Sequence, residues 1–223
     1  MKRLTLFLIA TFLATGSLLA QQAHDFRFEI SAETGLVSVL SGPDLESISN
    51  AVVRFGFAPS KHFLLTLTFT KLEGELATDD ILNEQFQVTY NDENSPDLKF
   101  RNAFLDDRTV DIKQYELGIV KEIPFGNKHW EGFVGVGVGL ADSTADISWV
   151  GATEQNGDPA SPTLSVEENN EFLTSVRAGA RYLPVPWFAV QLNVKIVPIA
   201  TLFDEDINTL EVNGGVLFRF GKF

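Results

Sequence analysis

Between Asn208 and Phe223 apolar side chains recur at every second position. Leu210, Val212, Val216, Phe218 and Phe220 share one face; Glu211, Asn213, Gly215, Leu217 and Arg219 share the other. Side chains of a strand alternate between faces, so this stretch is a strand with one greasy face and one mostly polar or small face. The pattern recurs along the chain, and it restricts the possible folds more than any other feature. Each greasy face has to meet either a common core or lipid. Mean hydropathy is only +0.05, too low for a bundle of membrane helices but ordinary for strands with two unlike faces.

The first strand, His24 to Val37, turns Phe26, Phe28, Ile30, Ala32 and Leu36 one way and Arg27, Glu29, Ser31, Glu33 and Gly35 the other. A charge facing lipid at mid-bilayer costs about 2–4 kcal/mol, so in a membrane the Phe face looks outward. A connection with Gly42, Pro43, Asp44 and Glu46 follows. Strand two, about Ser49 to Phe57, sends Val53, Phe55 and Phe57 outward and Asn50, Arg54 and Gly56 inward. Strand three, Phe63 to about Leu72, alternates Phe63, Leu65, Leu67 and Phe69 with Thr66, Thr68 and Thr70. On strand four, Thr109 to Ile123, Val110 and Ile112 keep one phase while Tyr115, Leu117 and Ile119 keep the other, so a bulge is expected near Lys113–Gln114. Strand five, Trp130 to Leu140, places Val134, Val136, Val138 and Leu140 outward. Its inward Gly135, Gly137 and Gly139 leave room for large neighbours inside a narrow barrel. Strand six, Phe172 to Leu183, and strand seven, Trp187 to Val197, complete the set with the terminal strand.

Eight such strands fit a closed antiparallel up-and-down transmembrane β-barrel, with connections that alternate long and short. The segment Glu73 to Arg108 is long and acidic; within it 85–90 and 99–104 alternate weakly, as a hairpin above the membrane or as two more strands, ten in all. The segment Asp142 to Glu171 carries seven acidic residues and no Lys or Arg. Phe63, Trp130, Tyr182, Trp187 and Phe220 all fall at the short-turn end, where an interfacial aromatic girdle belongs. The soluble alternative is a lipocalin-like barrel, greasy inside and polar outside. It lacks support in the early Gly-x-Trp signature and the final helix expected of that family.

The pattern over residues 24–223 resembles the small eight-stranded outer-membrane barrels, the OmpA/OmpX-like and OmpW-like proteins. The resemblance implies a bacterial outer-membrane location, contact with outer-membrane lipid and lipopolysaccharide, and assembly by the outer-membrane insertion machinery. Phe223 looks like the family's C-terminal aromatic, part of the assembly signal. It is out of phase with Val216, Phe218 and Phe220, and a kink at Gly221 would restore it. Residues 1–20 read as a secretory signal, with Lys2 and Arg3, an apolar core from Leu4 to Leu13, and small residues from Ala14 to Ala20. The apolar core is too short for a spanning helix, which needs roughly 17–25 residues. Residues 21–223 are then one barrel domain. Without Lys2 and Arg3, 15 basic residues face 30 acidic ones, a charge of −15.

That charge disfavours nucleic acid, which is bound by basic surfaces. The absence of cysteine excludes disulfides and thiolate metal sites. No catalytic residue, cofactor or metal site is expected. His24, His62 and His129 fall in turns or at the first strand's entrance, away from the long-connection rim where barrel enzymes work, and no His-x-Ser-Asn occurs. Asp142, Asp146 and Asp158 suggest calcium, but the spacing and glycine of an EF-hand are absent. The inward charges are more informative: Arg27, Glu29, Glu33, Arg54, Glu116, Arg177, Arg181, Lys195, Glu211 and Arg219. An eight-stranded interior is just filled by side chains, and lone buried charges are very costly. They should therefore pair, with Glu29 or Glu33 between Arg219 and Arg54, giving a plugged interior with a structural or gating role. The expected function is a structural or interaction role in the cell envelope. The alternative is a channel for small solutes or hydrophobic compounds.

Overall fold

The computed structural model describes residues 26–41, 45–60, 62–76, 104–126, 129–150, 152–153, 159–160, 163–198, 201–202, 205–206 and 208–221. Eight strands form a closed barrel: β1 (Arg27–Ser41), β2 (Leu45–Ala58), β3 (Phe63–Leu76), β4 (Phe104–Pro124), β5 (Trp130–Val150), β6 (Thr163–Val185), β7 (Phe188–Val197) and β8 (Asn208–Gly221). Each pairs antiparallel with its neighbours in sequence, and β8 closes on β1, where Arg219 stands opposite Glu29. The barrel thus has eight strands and not ten. The possible extra pair, 85–90 and 99–104, lies outside the described residues except for Phe104, which opens β4. Two short ribbons, Ala152–Thr153 with Pro159–Ala160 and Thr201–Leu202 with Glu205–Asp206, stand apart from it.

Period-two sequences make these strands, and their outward rows stay exposed: Phe28 and Ile30, Val53 and Phe55, Leu67 and Phe69, Leu117 and Ile119, Val136 and Val138, Leu192 and Val194. Neighbouring rows touch through aromatic pairs such as Phe28–Phe57 at 5.2 Å and Phe188–Phe218 at 5.4 Å between centroids. An apolar belt around the whole cylinder is far larger than a soluble monomer exposes, and it matches the lipid-facing band of a membrane barrel. A lipocalin-like barrel has its greasy face inside, opposite to what this belt presents.

No bulge occurs at Lys113–Gln114. There β4 pairs in unbroken register with β3, from Phe63↔Lys121 to Glu75↔Thr109, and with β5, from Asp107↔Ser148 to Pro124↔Glu131. Val110 and Ile112 point into the barrel and are buried. The backbone keeps its phase; the chemistry changes sides. Toward the short turns from Lys113, the outside is apolar except for Lys121 near the turn, and the inside is largely polar. Beyond Lys113, the outward residues are Asp111 and Thr109, and the inward ones are Ile112 and Val110. The same inversion occurs on β3, where outward Phe69 gives way to Lys71, Glu73 and Glu75 while Leu72 is buried inside. On β5, Leu140 gives way to Asp142 and Asp146 outside, with Ala141, Ala145 and Ile147 inside. A sheet that has left the lipid belt needs a polar coat and an ordinary buried core. A real register shift lies nearby, between Ala141 and Ser143 on the β5–β6 pair, where Asn170 takes φ 63°.

Three short turns, 59–62, 125–129 and 186–187, occupy one end. At the other end the link 42–44 is equally short, because β1 and β2 run on through most of the expected connection. Gly221 has φ +113°, and a Cβ there would meet the Phe26 carbonyl oxygen at 2.2 Å, so this position has to be glycine. Phe223 lies outside the described residues.

Candidate functional site: the charged barrel interior

All ten inward charges of the sequence pattern lie inside the cylinder, nine of them buried and Arg27 nearly so. Two more join them, Glu122 on β4 and Glu131 on β5. Among the described residues this makes six cations (Arg27, Arg54, Arg177, Arg181, Lys195, Arg219) and six carboxylates (Glu29, Glu33, Glu116, Glu122, Glu131, Glu211). The strand phase that places Glu116 inward also places Glu122. The signal for Glu131 is weaker, since it sits one residue into its strand.

Nearest the short turns the charges form one cluster. Arg219 donates from Nε to Glu29 at 2.8 Å and from Nη2 to Glu122 at 3.2 Å, and it also holds Glu131. Arg181 donates to Glu122 at 2.8 Å, lies 3.3 Å from the second Glu29 oxygen, and stacks 4.5 Å over the Phe133 ring. Arg27 pairs with Glu29 at 3.1 Å and with Glu122. Three guanidinium groups thus share three carboxylates; burial is tolerable because every charge but Glu131 has at least two partners, and Glu131, held by Arg219 alone, is partly exposed.

Further in, Arg54 pairs with Glu33 at 2.6 Å, across the diagonal created by the Ser31↔Arg54 register. Gln191 donates to Glu33 at 2.7 Å, and Asn193 donates to its other oxygen. Neither acid lies between the two arginines as expected: Glu29 pairs with Arg219 and Glu33 with Arg54, because each guanidinium reaches a different acid on β1. Arg177 donates from Nη2 to Glu116 and to Thr66, both at 2.9 Å. Gly118 and Gly137, opposite each other in register, make this pair possible. A Cβ on Gly118 would lie 2.6 Å from Arg177 Nη2, and one on Gly137 would lie 2.5 Å from the Glu116 carboxyl. Lys195 lies 3.5 Å from Glu116 and 3.4 Å from Glu211, and donates to Gln114 at 2.8 Å.

Above these charges the interior turns apolar. Val37, Ile48, Leu72, Val110, Ile112, Ala141, Ala145, Ile147, Leu173 and Val197 form one buried cluster. Its members come from β1 to β7. The sequence signal for it is the phase reversal on β4. At the opposite end Arg27, His129, Glu131, Arg219 and the segment Leu183–Pro186 line an open cavity of about 330 Å³.

The expected girdle residues Phe63, Trp130, Tyr182, Trp187 and Phe220 are exposed on the outer surface at the short-turn end, with Trp130 and Tyr182 rings 5.1 Å apart. His62 and His129 sit in short turns, His129 with Nδ1 2.9 Å from the Leu183 carbonyl oxygen; His24 lies outside the described residues. Among the described residues no group of three or more His, Cys, Asp or Glu is placed to hold a metal ion. Asp142 instead accepts from the Asn170 backbone N–H at 2.9 Å, and Asp158 lies outside the described residues. Where β3 has left the belt, hydrogen bonds to Glu73 and Asp111 hold the Lys71 ammonium above the usual lysine range.

Comparison with solved structures defines the class. A major outer-membrane protein from Thermus thermophilus matches with a TM-score of 0.55 at 11% identity, over 88% of this chain and 100% of that one. Neisserial surface protein A matches with a TM-score of 0.53 at 12% identity, over 87% and 97%. The attachment invasion locus protein Ail of Yersinia pestis, at 12% identity over 88% and 98%, has a TM-score of 0.48. No family model matches the sequence, and no curated protein matches it. The chain has the fold of the small eight-stranded outer-membrane β-barrels.

Proposed function

We propose that this chain is a non-catalytic, non-conducting barrel of the bacterial outer membrane with a structural or interaction role in the envelope. The observation that carries the reading is the interior. Twelve paired charges and an apolar cluster occupy the space an eight-stranded barrel encloses, where a porin keeps an aqueous channel. The short turns then face the periplasm, and the longer, acidic connections and the polar extension of β3 to β6 face outward. Residues 1–20 serve as the export signal, Phe223 belongs to the signal read by the insertion machinery, and the exposed aromatics anchor the periplasmic interface. Outer-membrane lipid and lipopolysaccharide are the immediate partners. The position of His62 and His129 in periplasmic turns supports the absence of catalysis.

The second reading, a small-solute channel, draws on the buried amide oxygens of Asn50, Asn193 and Asn213, which have no hydrogen-bond partner among the described residues. Planar-bilayer recording of the purified, folded chain separates the two. No stepwise conductance is expected; steady channels of uniform size would sink the first reading and promote the second.

A further inference from the structure

Small apolar clusters flank the charges near the short turns, but the largest apolar cluster of the interior lies beyond them. From the short turns inward, β4 presents Glu122, Val120, Gly118, Glu116 and Gln114, and then Ile112 and Val110. β1 runs Arg27, Glu29, Ser31, Glu33, Gly35 and then Val37; β7 runs Gln191, Asn193, Lys195 and then Val197. Seven of the eight strands contribute inward apolar side chains to one cluster, with buried Ser143 among them on β5. The result is a collar across the barrel at the level where the outer surface becomes polar.

Beside the collar, where Asn50 stands opposite Leu72 and Glu211 opposite Val37, the polar groups are not all satisfied by the described residues. The amides of Asn50 and Asn213 donate to Glu211 at 3.1 and 3.5 Å, and that of Asn193 donates to Glu33. Those bonds fix each amide with its nitrogen toward a carboxylate, so its oxygen faces elsewhere. All three oxygens are buried and have no hydrogen-bond partner among the described residues. Buried acceptors of this kind hold internal water, and interior charge is already balanced six against six, so no counter-ion is called for.

We propose that the apolar collar is a seal in its own right, separate from the charge pairs. Water reaches the amides of Asn50, Asn193 and Asn213 but stops at Leu72, Val110, Ile112 and Val197, because a narrow apolar constriction sheds water and ions do not cross it dry. This rests on the non-conducting reading above and adds to it a second barrier. Loosening the charge cluster alone therefore opens nothing.

Four chains compared in planar bilayers test this: wild type; Glu122→Ala, which removes the carboxylate shared by Arg27, Arg181 and Arg219; Val110→Thr with Ile112→Thr, which puts two hydroxyls into the collar, the first at constant shape and the second with the loss of one carbon; and all three together. The heat-dependent gel shift of a folded barrel qualifies each protein, with Val197→Thr as the substitute collar change if the β4 pair does not fold. The triple variant is expected to conduct at least tenfold more than either partial variant. Conductance from Glu122→Ala alone equal to that of the triple overturns the collar as a seal, and so does a folded triple variant that stays silent. Steady conductance in the wild type overturns the non-conducting reading and the seal with it, whereas full conductance from Glu122→Ala alone overturns the seal and leaves the wild type non-conducting.

Discussion

Arg177 and Glu116 are each 1% exposed, and neither would survive burial alone. Their pairing depends on two glycines across a strand boundary, so the GVGVG alternation of β5 and Gly118 of β4 are one device. The inward direction of both charges is legible from strand phase. Which acid meets which base is not, because a side-chain reach of several ångströms spans more than one register step. Arg54 illustrates this by passing its direct neighbour Ser31 to reach Glu33. Glu116→Gln keeps the shape and removes the charge that faces Arg177 and Lys195. It is expected to cost about 3 kcal/mol in urea unfolding of the refolded barrel, the range for breaking a buried pair. A loss below about 1 kcal/mol would show that Arg177 is adequately held by Thr66 and Thr68.

At the scale of the element, β4 is the strand that sequence pattern describes least well. Alternation identifies it and places its start within a few residues, yet it suggests a bulge that is not there. Hydrophobicity marks the buried side of a strand only while the surroundings stay the same. On β4 the surroundings exchange at Lys113, lipid outside for water and polar interior for apolar, so a continuous strand reads as a shifted one. The lengths of β3 to β6 are hidden for the same reason, because their outer halves look like acidic loop. The chain has no cysteine, so single thiols report side directly. Lys113→Cys and Asp111→Cys are expected to react with a water-soluble maleimide in intact vesicles. Ile112→Cys is expected to react at least tenfold more slowly, and rapid labelling of Ile112→Cys with protection at Asp111→Cys would restore the bulge.

For the whole molecule, barrel closure follows from the last strand returning to the first, Glu29 opposite Arg219 and Ile30 opposite Phe218. Strand number and the outward belt are readable from the alternation, from the short turns and from the aromatics beside them. The apolar collar is not, since it needs seven strands to be superposed in space before its residues become neighbours. The central claim is a closed barrel with its apolar rows against lipid, and its most direct test is the electrophoretic mobility of the membrane fraction in SDS, unboiled against boiled. A compact band that runs ahead unboiled and falls back on heating is the expected result, because a closed ladder resists the detergent until heat breaks it. A single band of unchanged mobility, found in the soluble periplasmic fraction, would contradict it.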